Sequence, residues 1–156
     1  MTTKKLQAAL EFLMTYGWAI LLVIVVVGAL YATGMLKPCR WVGLQAKEFP
    51  LSEVKVEPLR LTASQLVFQV YYQQAGDATF LNVSISGTAD GKPISFGTLN
   101  TSTTTFSTTS PVVITVPIVS GASSGACADF SVTLRYMKPG ATDYTEVSGR
   151  ITGPVS

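Results

Sequence analysis

"FLMTYGWAILLVIVVVGALYATGML", Phe12 to Leu36, runs for 25 residues without a charge, bounded by Glu11 and Lys37. As a helix it would be roughly 37 Å long against a hydrocarbon core of about 30 Å, enough to cross a bilayer with some tilt. It is apolar on every side, with no polar stripe. Such a helix is stable only when buried, in lipid or in the core of a helical assembly. Gly17, Gly28 and Gly34 within it permit close helix approach or local bending.

Beyond Lys37 the texture changes at once. "KPC", Lys37 to Cys39, is expected to end the helix, because proline cannot continue it. Period-two alternation then takes over. "LVFQVYY" puts Leu66, Phe68, Val70 and Tyr72 on one face; "FLNVSI" puts Leu81, Val83 and Ile85 inward, with Asn82 and Ser84 outward. "VVITVPI" offers Val112, Ile114, Val116 and Ile118, and "FSVTLRY" offers Phe130, Val132, Leu134 and Tyr136. "EVKVEPL" and "DYTEVSGRI" are further strands. Turn signals "AGD", "ADGKP" and "KPGATD" separate these runs. About seven strands, each with one buried face, predict a β-sandwich of immunoglobulin-like style. The fold class expected is α+β: a long hydrophobic N-terminal α-helix followed by an all-β sandwich.

Composition narrows the function. The chain has 156 residues, of which 47% are apolar and 13% charged, with a net charge of +2 and no histidine. No basic cluster lies outside the N-terminus, which argues against a nucleic-acid surface. Without histidine the commonest general base and metal ligand is missing. Two cysteines have no histidine to activate them, and no glycine-rich phosphate loop follows a strand. Asp77, Asp90, Asp129 and Asp143 stand singly near turns, where aspartate is common; a calcium site would need them to converge. The expectation is no enzyme, no cofactor and no metal.

Three readings fit an apolar run at this position. A cleaved secretory signal has a shorter hydrophobic region, although "VGAL", Val27 to Leu30, offers small residues for a peptidase. A signal anchor fits the length. Lys4 and Lys5 on one side face Lys37 and Arg40 on the other, and the larger folded portion behind a short basic N-terminus favours N-in, C-out. The third reading rests on the residues ahead of the run. Lys4 and Lys5 form a basic pair, Gln7 follows shortly after, and Glu11 is the fifth residue counted from Gln7.

With its continuation "QAALEFLMTYGWAIL", Gln7 to Leu21, this pattern resembles the class III signal peptide of archaeal type IV pilin-like proteins. The resemblance covers about the first 36 residues. It implies that residues 1–6 are a leader removed by a prepilin peptidase between Leu6 and Gln7. Residues 7–36 would then be a membrane span that becomes the filament core, and residues 37–156 an extracellular β-sandwich. In the family the carboxylate at the fifth mature position pairs with a neighbour's new N-terminal amine, a role that falls here on Glu11. A charge without such a partner is costly in a low-dielectric bundle. Taken alone, Glu11 near the start of a helix is also favoured by the helix dipole. One departure is Leu6 before the cut, where the family has glycine or another small residue. The archaellin pattern, with more glycine after the cut, is not seen. The resemblance makes copies of this chain, the peptidase, the assembly machinery and, before assembly, the membrane the expected partners. The competing expectation is a single-pass surface protein whose β domain binds a ligand or sugar and never polymerises.

Cys39 at the helix exit and Cys127 ahead of a strand are expected to pair in an extracytoplasmic domain. Asn82-Val83-Ser84 and Asn100-Thr101-Ser102 are sequons, and Asn82 falls on an outward face. Thr98 to Ser110, "TLNTSTTTFSTTS", holds ten Ser or Thr in thirteen residues. It reads as a solvated loop or edge strand, with O-linked sugar or a weak adhesive face as the functional alternative.

Overall fold

The computed structural model describes residues 3–33, 35–36 and 39–156, with the backbone alone for residues 3–9, 12, 13 and 40. The chain divides into two compact units, Met1–Lys37 and Pro38–Ser156.

The first unit is helix α1, Thr3–Ala32, 30 residues long. Within it Met14–Ala32 has a mean hydropathy of 2.1, is long and apolar enough to cross a membrane, and is not buried among the described residues. The helix closes four residues before Leu36. The Thr33 N–H donates to the Ala29 carbonyl at 2.9 Å, and the Met35 N–H reaches the Leu30 carbonyl at 3.2 Å. The second is a six-to-one bond of the kind that closes a helix in a Schellman motif; Gly34 lies outside the described residues. Lys37 and Pro38 lie outside the described residues.

The second unit begins with the short helix α2, Cys39–Val42, and β1, Gln45–Lys47. The long strands are β2 (Val54–Leu61), β3 (Gln65–Tyr72), β4 (Ala78–Ala89), β9 (Val112–Ser120), β10 (Cys127–Met137) and β11 (Tyr144–Pro154). Between β4 and β9 lie four two-residue strands: β5 (Lys92–Pro93), β6 (Ser95–Phe96), β7 (Asn100–Thr101) and β8 (Thr105–Phe106). One antiparallel sheet has the order β1-β11-β10-β4-β5, with β8 also on β4; the other has the order β2-β3-β9-β6, with β7 also on β9. Leaving β1, β7 and β8 aside, β2-β3-β9-β6 corresponds to strands A-B-E-D of an immunoglobulin-type sandwich, and β11-β10-β4-β5 to G-F-C-C′. Asp90 and Gly91, both at positive φ (48° and 79°), make the two-residue β4–β5 turn that the sequence signalled.

The inward faces of the two sheets share one core. The alternation expected for β3, β9 and β10 is seen residue for residue, with Leu66, Phe68, Val70, Tyr72, Val112, Ile114, Val116, Phe130, Val132, Leu134 and Tyr136 fully or almost fully buried. Tyr72 meets Phe106 and Tyr136 edge-on across the sandwich, with ring centroids 6.0 and 5.8 Å apart.

Strand β4 departs from the expected pattern. Val83 is buried and Ile85 partly so, but Leu81 points outward and Phe80 and Ala78 take the core positions. The cause is a β-bulge. Arg135 pairs with Asn82 and Tyr136 with Phe80, so Leu81 is an extra residue and the phase of the strand flips across it.

The Ser/Thr-rich segment is more ordered than a loop. It crosses from one sheet to the other, β7 on β9 and β8 on β4. Phe106 is buried in the core while Thr101 to Thr105 stay exposed.

Candidate functional site

Among the described residues the apolar run of α1 is not buried. Leu21, Ile24 and Trp18 are each about two-thirds exposed. Glu11 is exposed and sits three residues before the span; its backbone carbonyl accepts the Thr15 hydroxyl at 2.8 Å. Lys4, Lys5, Leu6 and Gln7 belong to the same helix, and their side chains lie outside the described residues. Gln7 and Glu11 are four residues apart, so both lie on one helix face about one turn from each other.

The two cysteines form a disulfide with Cα atoms 5.9 Å apart and 88 residues of separation. Cys127 is the first residue of β10, a strand flanked by β4 and β11. Its N–H donates to Asp90 Oδ1 at 3.1 Å, and the Asp90 N–H donates to the Cys127 carbonyl at 2.9 Å. The bridge therefore ties the segment that follows α1 in sequence to the middle of a sheet. Asp90 serves the β4–β5 turn. Among the described residues no group of three His, Cys, Asp or Glu is close enough to hold a metal ion.

A second tie joins the two sheets. Glu53, just ahead of β2, accepts the Tyr136 hydroxyl at 2.8 Å through Oε2 and the Lys138 ammonium at 2.8 Å through Oε1. The hydrogen bonds from Lys138 and then Tyr136 hold the Glu53 carboxyl below the usual carboxylate range, against the opposing effect of burial. Tyr136 is driven above the usual phenol range, first by burial and then by its bond to Glu53. Sequence reading placed Tyr136 in the core but gave its hydroxyl no partner. A buried tyrosine needs one, and that requirement was the available signal.

The outward face of β4, β10 and β11 is a polar grid. Asn82, Arg135 and Glu146 form one row; Ser84, Thr133 and Ser148 the next; Ser86, Ser131 and Arg150 the third. Arg135 Nε donates to Glu146 Oε2 at 2.7 Å, the hydroxyls of Thr133 and Ser148 are 3.0 Å apart, and Arg150 pairs with Asp129. A shallow concavity is lined by Asn82, Ser84, Thr133, Arg135 and Glu146. Of the sequons, Asn82 is exposed at the bulge. Its Oδ1 accepts the Val83 N–H at 2.8 Å, which leaves the amide nitrogen as its outward donor. Asn100 is exposed on β7, paired opposite Thr115. The role of Leu81, Arg135, Tyr144 and Glu146 in shaping this face was not read from the sequence, because strand pairing alone brings them together. No protein-family model, curated protein or solved structure matches the chain.

Proposed function

We propose that this chain is a structural subunit of a type IV pilus-like surface filament. Its N-terminal helix packs with copies of itself into the filament core, and its β domain forms the outer sheath. The observation that carries this reading is the 30-residue helix whose apolar span, Met14–Ala32, is long enough to cross a membrane and is not buried among the described residues. An apolar surface of that length requires lipid or other helices. A filament subunit meets both in turn.

The reading goes on to the N-terminus. A prepilin peptidase removes residues 1–6, the membrane holds the precursor N-in and C-out, and assembly machinery extracts it. The new amine on Gln7 supplies a positive charge for Glu11 of a neighbouring subunit, which favours one axial register because an unpaired carboxylate is costly in an apolar bundle. The β domain stands outside the cell, where a disulfide such as Cys39–Cys127 persists. Asn82 and Asn100 are its glycosylation positions, and the role is structural rather than catalytic.

The second reading, a single-pass anchored protein that does not polymerise, draws on the same helix, since its length also suits a permanent span. The two separate in a shearing experiment on cells that produce the chain. The filament reading expects wild-type protein in the sheared, sedimentable fraction, and expects Glu11→Gln to be inserted in the membrane but absent from that fraction. Wild-type protein found only in the membrane fraction would favour the anchored reading.

A further inference from the structure

The β-bulge has a chemical consequence on the outer face. By turning Leu81 outward, it places an apolar side chain, 46% exposed, at the end of an otherwise polar grid. The neighbouring row contains Met137 paired opposite Tyr144, and the Tyr144 ring is 60% exposed. The Arg135 guanidinium lies 5.4 Å from the centroid of that ring, and its Nε is fixed by Glu146 at 2.7 Å. Among the described residues the two terminal guanidinium nitrogens of Arg135 and the second carboxylate oxygen of Glu146 make no hydrogen bond. A largely exposed aromatic ring with Arg135 over one face, a small apolar shoulder and a fixed guanidinium–carboxylate pair thus adjoin the concavity lined by Asn82, Ser84 and Thr133.

We propose that this face of β4, β10 and β11 binds a neutral pyranose sugar. A pyranose has one face of C–H groups, weakly positive at their hydrogens, and a rim of hydroxyls. The C–H face matches the negative face of the Tyr144 ring on the side away from Arg135, for the reason that aromatic edges and cations do. Adjacent hydroxyls match polar atoms fixed close together, which the two terminal guanidinium nitrogens of Arg135 and the second carboxylate oxygen of Glu146 supply. The choice of a neutral ligand follows from the charges: Arg135 is paired with Glu146 and Arg150 with Asp129, so neither cation is left over for an anion. The hydroxyl rows of Ser84, Thr133 and Ser148 continue the site along the strands, toward a second sugar unit. The bulge is the device that makes it, since without the extra residue Leu81 would lie in the core, and bulges recur where a strand must re-aim a side chain. The site belongs to the β domain alone and does not rest on the filament reading.

The test uses the full chain, made in a host that does not glycosylate sequons and held in phosphocholine-detergent micelles, which carry no sugar. Methyl α-mannoside, methyl β-galactoside and N-acetylglucosamine are titrated in turn, with glucuronate as the charged comparison, and Tyr144 ring and Arg135 Nε resonances are followed. The expected result is a saturable shift with at least one neutral probe. Tyr144→Ala weakens that binding at least tenfold, Tyr144→Phe retains it, and both variants melt at the parent's temperature. The proposal is overturned if no neutral probe shifts these resonances, if glucuronate alone does so, or if Tyr144→Ala binds as well as the parent.

Discussion

Replacing both cysteines, Cys39→Ser with Cys127→Ser, removes a covalent loop of 88 residues while leaving two small polar side chains in place. In the chain-entropy account a loop of that length restricts the unfolded chain by about 4 to 5 kcal/mol at 25 °C. For a domain the size of residues 39–156 the unfolding entropy is of order 0.25 kcal/mol/K, so the midpoint is expected to fall by roughly 15–20 °C. The native sheet should survive at low temperature, because Cys127 is also held through its backbone by Asp90 and by pairing with Pro154. The assay is thermal and urea unfolding of the full chain in micelles, followed by near-ultraviolet circular dichroism of the packed tyrosines Tyr72 and Tyr136. The double variant and the chemically reduced wild type should agree with each other. Both should unfold with a steeper denaturant dependence than the oxidised protein, since the unlinked chain exposes more surface. A fall of less than about 5 °C with an unchanged slope would refute the reasoning, because the bridge would then not be restricting the unfolded chain.

Three further outcomes follow from the packing and the polar ties. The folded-state titration of Glu53 lies below that of the unfolded chain, so its contribution to stability is complete above the unfolded value and is lost as pH falls through the folded one. Midpoints measured from pH 7 down to 2 should therefore drop more steeply for wild type than for Glu53→Gln, and parallel curves would count against this tie. A Cβ at Gly149 would meet the Phe49 ring at 2.5 Å, so Gly149→Ala should cost about 1–3 kcal/mol in urea unfolding, and a neutral result would mean the ring moves freely aside. Phe106→Ala removes the buried anchor of the Ser/Thr-rich strap together with its edge contacts to Tyr72 and Tyr136; a loss of about 3–5 kcal/mol and new proteolytic cleavage between residues 98 and 110 are expected. Resistance equal to wild type would show that the strap is held by its backbone bonds alone.

What could be read from the sequence depended on whether a pattern was local. Strands β3, β9 and β10 alternate without interruption, so Leu66, Ile114 and Leu134 were placed on the correct face from period alone. Strand β4 alternates equally well on paper, yet Leu81 was put inward; the bulge is set by pairing with β10, some fifty residues away in sequence. Strands β5 to β8 are two residues each, too short to carry a period. The regular turns of α1 end at Ala32, inside the apolar run that extends to Leu36, and the Lys37-Pro38 stop signal lies outside the described residues. The Cys39–Cys127 bridge followed from counting cysteines and from a domain expected outside the cell. The Glu53–Tyr136–Lys138 tie joins residues 83 and 85 positions apart and leaves no local trace. The same holds for Tyr144 and Leu81. Each looks ordinary in its own strand, and they share the end of one sheet face only once β4, β10 and β11 are aligned.

The central claim of the proposed function is that α1 is cut between Leu6 and Gln7 and that its remainder assembles around Glu11. It is tested most directly by the N-terminus of the protein recovered from the surface of its native cell, determined by intact mass and peptide sequencing. The account predicts a chain beginning at Gln7, despite Leu6 before the cut, so that an α-amine is present for Glu11 of a neighbour. A chain beginning at Met1 would leave no amine at that position, and would contradict the filament reading in favour of a permanent anchor.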